Sequence, residues 1–220
     1  MYFRNRAEAG RKLAEGLLDY QKESCAVIAL SEGAVIIGAQ IAMKLHAPLS
    51  ILLTEPINLP GEPDPIAAIS SGGTFTYNNM YSAGQLEEFR EEFHGYIEEQ
   101  RLQKFHKLNK LVGHDGEIRK QLLKHRVIIL ASDGLNSGFS LDVADDFLKP
   151  IALKRLIIAT PLASVTAVDR MHLLADEILC LSVPGYYINT NHYYDENTIP
   201  DQEGITQIIR NNSLTWATTK

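Results

Sequence analysis

The sequence predicts a doubly wound α/β domain with a mostly parallel sheet, carrying an insertion made of a β-hairpin and a long helix. Several short runs are continuously apolar rather than alternating, which is typical of parallel strands buried on both faces. These runs are separated by segments with helical spacing of apolar residues, the order that βαβ units produce. The chain has 220 residues, 45% hydrophobic and 22% charged, which suffices for one packed core. We therefore expect a single domain over residues 1–220, with the insertion at residues 55–125.

The first half of the chain reads as two helices and two strands. The first helix has an apolar face with Leu13 and Leu17, and its charged side chains, including Arg6, are expected to face solvent. Cys25 opens a short apolar strand that suits the interior of a parallel sheet. The predicted elements are a helix at residues 6–18, a strand at 25–30, a turn at 31–34, a helix at 35–45 and a strand at 49–53.

The insertion begins with a proline-rich segment. Residues 55–65 hold four prolines and a glycine, which predicts a loop rather than a helix or a central strand. Residues 66–69 and 74–77 then flank a Ser-Ser-Gly-Gly turn as in a β-hairpin. From Leu86 to Leu111 apolar residues recur at helical spacing with a slip near Gln100, which predicts one long, kinked helix.

Charge changes sign along this helical region. Residues 87–99 carry six glutamates and one arginine, whereas residues 101–126 carry eight lysines and arginines. Three interpretations remain open: a solvated face with local ion pairs, a basic patch that attracts phosphate, and an interface with a partner.

The second half repeats the strand and helix alternation and completes the doubly wound sheet. The predicted elements are strands at residues 127–131, 156–160 and 177–181, and helices at residues 141–148 and 165–174.

Composition argues against several classes of protein. The formal net charge of −6 lacks the broad positive field that nonspecific nucleic-acid binding requires, so no nucleic-acid partner is expected. Only two cysteines occur, Cys25 and Cys180, which favours a reducing compartment. The N-terminus has no apolar core of an export signal, and no apolar stretch approaches 18 residues. We expect a cytoplasmic protein without a membrane partner, and a homo-oligomer is left open.

One loop has the residue types of an anion site. The strand at residues 127–131 delivers Ser132 and Asp133, and a segment rich in glycine and serine then opens a helix. Glycines let the backbone approach an anion closely, and the helix N-terminus donates amides to it. Asp133 could accept hydrogen bonds from a sugar diol. The alternative is an ordinary capped turn with Ser137 or Ser140 as the N-cap.

With its flanks, this segment resembles the phosphoribosyl-diphosphate-binding motif of the type I phosphoribosyltransferases: a hydrophobic strand, two acidic residues and a Thr-Gly-x-Thr-type phosphate loop. The similarity extends over most of the chain. The opening helix of a bacterial branch of this family is similar to Phe3-Arg4-Asn5-Arg6-Ala7-Glu8-Ala9-Gly10. The proline-glycine loop of that branch is similar to Pro60-Gly61-Glu62-Pro63-Asp64, and its last core strand to Ala175-Asp176-Glu177-Ile178-Leu179-Cys180-Leu181. The similarity extends to Tyr193-Tyr194-Asp195 and to the tail through Ile209.

The resemblance implies transfer of a phosphoribosyl group to a nitrogen acceptor, with pyrophosphate displaced from C1 and Mg²⁺ shared by pyrophosphate and ribose oxygens. It assigns Asp133 as the catalytic residue that holds the ribose hydroxyls, and as a possible magnesium contact; no other protein ligand for the metal is expected. The implied substrate-binding residues are Ser31, Glu32 and Gly33 toward pyrophosphate, Ser132 beside the ribose, and Gly134, Leu135, Asn136, Ser137, Gly138, Phe139 and Ser140 around the 5′-phosphate.

Three departures from the family pattern bear on activity. Ser132 stands where the pattern has the first of two acids, Glu32 stands where arginine is common, and Glu55 lies in a segment that is usually basic. Each change weakens the attraction for a polyanion. Two functions therefore remain open: a phosphoribosyltransferase of nucleotide metabolism with an unidentified acceptor, or a catalytically inactive homologue that binds a nucleoside monophosphate as a regulatory or assembly module.

Overall fold

The computed structural model of the chain describes residues 1–116 and 118–217. Its helices are α1 (Arg6–Gly16), α2 (Glu32–Leu45), α3 (Ala83–Glu92), α4 (His94–Gly116), α5 (Phe139–Leu148), α6 (Val165–Leu174) and α7 (Gln202–Ala217). Its strands are β1 (Cys25–Ala29), β2 (Leu49–Ile51), β3 (Thr54–Ile57), β4 (Ala67–Ser70), β5 (Phe75–Tyr77), β6 (Val127–Ala131), β7 (Arg155–Leu162) and β8 (Glu177–Ser182). Within these described residues, no helix has the length and apolar character needed to cross a bilayer.

The larger sheet has the strand order β2-β1-β6-β7-β8, and every pairing in it is parallel. This confirms the predicted doubly wound α/β class. The chain runs from β1 outward to β2 and returns to β6 on the other side of β1, so the winding direction reverses between β1 and β6. Ligands of open parallel sheets bind beyond the carboxyl ends of the strands at such a reversal. A ligand-binding site is therefore expected beyond Ala29 and Ala131, the last residues of β1 and β6.

Two hydrophobic cores hold this sheet. Every residue of β1 and β6 is buried, as expected for central strands. Val27 packs on one side with apolar residues of α1, α2 and α7, and its neighbour Ile28 packs on the other side with those of α5 and α6. The continuous apolar runs in the sequence arise because alternate side chains enter different cores.

A second, antiparallel sheet has the order β3-β4-β5. The predicted β-hairpin is confirmed as β4 and β5. The prediction that residues 55–65 form only a loop is wrong at its start, since Glu55, Pro56 and Ile57 pair with β4. Pro56 is tolerated because β3 is an edge strand, where one side of the backbone needs no ladder partner.

The predicted long helix consists of two helices. α3 ends at Glu92, with Phe93 as its C-cap at φ −112° and ψ 20°, and α4 starts at His94. The break lies at Phe93 rather than near Gln100. Ile97, Leu108 and Val112 of α4 are buried, which fixes this helix on the hairpin sheet and the larger core. Residue 117, within the basic stretch, lies outside the described residues.

Two further elements differ from the predictions. The predicted turn at residues 31–34 is the first turn of α2, because the Ser31 hydroxyl accepts a hydrogen bond from the Ala34 amide at 3.0 Å and caps the helix. Helix α7 has no counterpart among the predicted elements. It contributes Ile205 and Ile209 to the first core.

Phe147 on α5 joins the hairpin to the larger sheet. Its side chain is 1% exposed and lies in the second core. The hairpin turn rests directly on this ring, since a Cβ at Gly72 would lie 2.6 Å from Phe147 Cδ2. The Lys120 ammonium covers the ring from another side, 4.4 Å from its centroid.

Replacing Phe147 by alanine is expected to lower the free energy of unfolding by about 3–5 kcal/mol, because the change leaves a large cavity under the hairpin turn. Urea unfolding measures the effect. The matched control is Leu173→Ala on α6, where the side chain is 73% exposed; a loss below about 0.5 kcal/mol is expected there. Equal losses in both variants would contradict this account of the packing.

Candidate functional site

A cavity of about 850 Å³ opens at the reversal of the sheet. Leu30 and Ser132, which follow β1 and β6, form its floor, and the N-terminus of α2 and one face of α4 contribute to its walls. The residues of the predicted site that line it are Ser31, Glu32, Gly33, Ser132, Asp133, Gly134 and Ser140. Sequence reasoning thus located the two loops that meet here.

An ion pair lies at the base of this cavity. The Nε of Arg6 donates to Oδ2 of Asp133 at 2.8 Å, and the two side chains are only 1% and 10% exposed. The expectation that Arg6 faces solvent is wrong. Arg6 begins α1 on the side that faces the sheet, and its charge is compensated there by the carboxylate that follows β6.

The remaining donors of Arg6 reach the C-terminal part of the chain. Its Nη2 donates to Oδ1 of Asn191 at 2.7 Å, and its guanidinium carbon lies 4.6 Å from the ring centroid of Tyr194. The Tyr194 hydroxyl donates to the backbone carbonyl of Asp133 at 2.6 Å. Burial is the main cause that raises the pKa of Tyr194, which keeps the phenol protonated as a donor.

Asp133 is also tied to the loop after β1. The Ser31 hydroxyl donates to Oδ1 of Asp133 at 2.7 Å, so both carboxylate oxygens already have a protein partner. The two loops are so close that a Cβ at Gly33 would overlap Oδ2 of Asp133 and lie 2.6 Å from Nε of Arg6. Only glycine fits at position 33, because any side chain would push the ion pair apart.

The segment after Asp133 divides into residues inside and outside the cavity. Leu135 is buried in the second core; its amide donates to the Leu162 carbonyl at 3.0 Å and its carbonyl accepts from the Ser164 amide at 2.9 Å. Leu135 therefore cannot offer its backbone amide to a phosphate, contrary to expectation. The other predicted loop residues that do not line the cavity are Asn136, Ser137, Gly138 and Phe139.

Backbone amides at the start of α5 form a group of available donors. Within the described residues, no hydrogen bond engages the amides of Asn136, Ser137, Gly138 or Ser140. The Asn136 carbonyl, in contrast, accepts from the Ser164 hydroxyl, which fixes the loop. The N-cap is Gly138, in the left-handed region at φ 78°, so neither Ser137 nor Ser140 caps the helix. Free amides at the positive end of a helix dipole suit an anion.

The basic stretch at residues 101–126, for which the sequence left a phosphate-attracting patch open, contributes Lys107 to the lining of this cavity. Glu55 on β3 is paired with two lysines of α4: its Oε1 lies 2.6 Å from Nζ of Lys107 and its Oε2 lies 3.8 Å from Nζ of Lys104. The hydrogen bond to Glu55 raises the pKa of Lys107. The three-residue spacing of these lysines on one helix face was the available signal, but nothing in the sequence placed that face against Glu55.

The carboxylates present do not fit a protein-held magnesium ion at Asp133. A divalent cation there would have to share the carboxylate with the buried guanidinium of Arg6. Glu55 is engaged by lysines. In the part of the chain that the structure describes, no group of three or more His, Cys, Asp or Glu side chains could hold a metal ion.

Known proteins resemble this chain over nearly its whole length. No family model matches it. Two Mycobacterium tuberculosis proteins, from strains CDC 1551 and H37Rv, each named "Putative phosphoribosyl transferase", are 25% identical over 213 residues, which cover 94% of this chain and 46% of each relative. The chain thus spans about half the length of these relatives.

Solved structures also resemble this chain in fold. The crystal structure of TT1426 from Thermus thermophilus matches with a TM-score of 0.74 and 26% identity, covering 98% of this chain and 99% of that one. A hypothetical protein from Neisseria gonorrhoeae, solved with bound ppGpp, matches with a TM-score of 0.50 and 10% identity, covering 96% of both chains. The second likeness concerns the fold alone.

Replacing Arg6 by methionine is expected to lower the free energy of unfolding by about 3–5 kcal/mol, because the Asp133 carboxylate is left buried without its cation. Adding Asp133→Asn should restore part of this loss, since the unpaired charge is removed. Urea unfolding of the wild type, both single variants and the double variant measures the coupling.

The matched control is Arg4→Met, which removes an arginine from an exposed pair with Glu196. We expect almost no change in its urea midpoint. Additive effects of Arg6→Met and Asp133→Asn would contradict a coupled buried pair.

Proposed function

We propose that this chain, which belongs to the type I phosphoribosyltransferase family, binds a ligand with a ribose 5-phosphate group in the cavity between β1 and β6. Phosphoribosyl diphosphate and nucleoside monophosphates both carry this group. The sugar would lie in the cavity beside Asp133, and its 5′-phosphate would lie at the edge of the cavity, where Ser140 connects the lining to the rest of the loop at the N-terminus of α5.

The observation that supports this proposal is the set of unbonded amides at Asn136, Ser137, Gly138 and Ser140 in the described part of the chain. The Asn136 carbonyl, at the start of this segment, accepts a hydrogen bond from the Ser164 hydroxyl, which reduces the backbone freedom that the segment would lose when the ligand binds. The left-handed Gly138 turns the backbone at the point where the helix begins. These four amides can share the three terminal oxygens of the phosphate, and the dipole of α5 adds a favourable field.

Asp133 would meet the ribose with its remaining lone pairs. Each carboxylate oxygen can accept more than one hydrogen bond, so the partners Arg6 and Ser31 do not exhaust it. Because these partners hold the carboxylate rigidly, ribose hydroxyls would find acceptors already in place. Asp133 in this proposal orients the sugar without taking its proton.

If transfer takes place, the bond from C1 of ribose to the pyrophosphate oxygen breaks and its electron pair leaves with pyrophosphate. A nitrogen of the acceptor forms the new bond to C1 and then loses a proton to solvent. Pre-positioning the sugar lowers the barrier by restricting it to reactive orientations. Any magnesium would arrive on the oxygens of the diphosphate, since Asp133 is committed to Arg6.

A second candidate, a nucleotide binder without transferase activity, is favoured by the acidic groups Glu32 and Glu55 in the cavity. Titration calorimetry with phosphoribosyl diphosphate, ribose 5-phosphate and AMP discriminates the two. Preference for the diphosphate supports the transferase. Tighter binding of the monophosphates by the wild type supports the nucleotide binder without transferase activity. In that case the double variant Ser132→Asp with Glu32→Arg should prefer the diphosphate instead.

Ser140→Asp is expected to weaken binding of ribose 5-phosphate at least tenfold, as measured by calorimetry, because it adds a negative charge among the free amides. Folding should be preserved, since an acidic residue in the first turn stabilises a helix.

The matched control is Ala83→Asp, which adds the same charge to the first turn of the exposed helix α3. It should leave ribose 5-phosphate binding unchanged. Absence of ribose 5-phosphate binding by the wild type, or tight binding by Ser140→Asp, would refute the proposed phosphate site.

A further inference from the structure

Helix α6 lies directly behind the amide loop, by which we mean residues 136–140 with their unbonded backbone amides. The N-cap of α6 is Ser164, whose hydroxyl donates to the Asn136 carbonyl and whose amide donates to the Leu135 carbonyl at 2.9 Å. These bonds hold the start of the amide loop. They do not reach its other end, where α5 begins at Phe139.

The side chain of Arg170 on α6 contacts that other end. A Cβ at Gly138 would lie 3.0 Å from Cβ of Arg170 and 3.2 Å from its Cγ. The aliphatic part of the Arg170 side chain therefore packs on the bare backbone of Gly138. A larger residue at position 138 would push this side chain away, so the glycine serves the packing of α6 as well as the turn of the backbone.

The guanidinium of Arg170 reaches one turn further along α5. Its Nε donates to Oδ1 of Asp142, and the two side chains are 28% and 9% exposed. Burial raises the pKa of Asp142, and the hydrogen bond from Arg170 counteracts this rise. Because the carboxylate depends on Arg170 for compensation, α5 cannot turn away from α6 without leaving Asp142 buried and unpaired.

Arg170 thus contacts both ends of the first turn of α5. Gly138 and Asp142 are one helical turn apart, and Ser140, with its unbonded amide, lies between them. Arg170 itself does not line the cavity between β1 and β6. It therefore acts on the amide loop from behind, and it also offsets the negative charge of Asp142, which would otherwise repel an anion at this end of the helix.

We propose that Arg170 is a positioning residue for the amide loop: through Gly138 and Asp142 it holds the first turn of α5 in the orientation that presents the free amides to the cavity. The inference rests on the proposed function, since a phosphate is the ligand that these amides would bind. It gives a role to an ion pair that lies outside the cavity.

Arg170→Met tests this role, because methionine keeps an unbranched apolar side chain and removes the charge and the donors. Its affinity for ribose 5-phosphate, measured by calorimetry on the whole chain, should fall about tenfold. The amides lose their common orientation, and Asp142 keeps an uncompensated charge beside them. Arg170→Lys can still pair with Asp142 and should bind within about threefold of the wild type.

The matched control is Lys149→Met, which removes a cation paired with Asp145 and Asp146 at the other end of α5. It should change the affinity for ribose 5-phosphate less than about twofold. An equal loss in Lys149→Met and Arg170→Met would overturn the proposal, because any lost ion pair of α5 would then have the same effect.

Amide hydrogen exchange of the ligand-free protein separates local positioning from overall stability. The Leu141 amide donates to the Gly138 carbonyl at 2.9 Å, and the Leu135 amide donates to the Leu162 carbonyl at 3.0 Å. Arg170→Met should accelerate exchange at Leu141 at least about tenfold and at Leu135 less than about twofold, since only the first turn of α5 loses its anchor. A variant that is merely less stable would accelerate both amides.

The outcomes separate this proposal from the proposed function. If the wild type does not bind ribose 5-phosphate, the proposed function fails, and exchange at Leu141 still decides whether Arg170 holds the amide loop. If the wild type binds and Arg170→Met binds equally well, the positioning role is overturned while the proposed function stands. Equal acceleration at Leu141 and Leu135 also overturns it.

Discussion

The buried ion pair of Arg6 and Asp133 is the interaction on which the site depends. A guanidinium and a carboxylate taken out of water are costly unless each is fully compensated. Compensation here comes from four parts of the chain: the start of α1, the loop after β1 through Ser31, the end of β6, and the segment around Asn191 and Tyr194. Each part is held in position by the same two charges. The ion pair and its hydrogen bonds therefore determine the geometry of the cavity floor, whereas apolar packing determines the position of the sheet beneath it.

The sheet was predictable because its strands are buried on both faces. β1, β6 and the helix α6 were predicted within one or two residues, since continuous apolar runs and helical spacing leave few alternatives. The strand β3 was not predicted, because proline and glycine are local signals and edge position is a property of the whole sheet. Arg6 was misplaced for a similar reason: helical periodicity assigns a charged residue to solvent unless the distant partner, 127 residues away, is known.

The charges that line the cavity were also only partly predictable from the sequence. Glu32 and Glu55, which depart from the family pattern in the direction unfavourable for a polyanion, both line the cavity. The pattern could not reveal that α4 turns Lys104 and Lys107 toward Glu55. The formal net charge of −6 thus says little about the local potential, because the insertion places Lys104 and Lys107 beside Glu55 at the cavity.

The contacts of Arg6 also bear on the order in which the molecule is assembled. Its partner after β6 is 127 residues away and its partner Asn191 is 185 residues away, so the site combines segments that lie far apart along the chain. The backbone bridge between Phe3 and Tyr194 closes the same long loop. Contacts of such high sequence separation form slowly. On the ribosome, α1 and β1 can emerge and pack while Arg6 still lacks its counterions, and the cavity takes its final form only after residue 194 has been released from the exit tunnel.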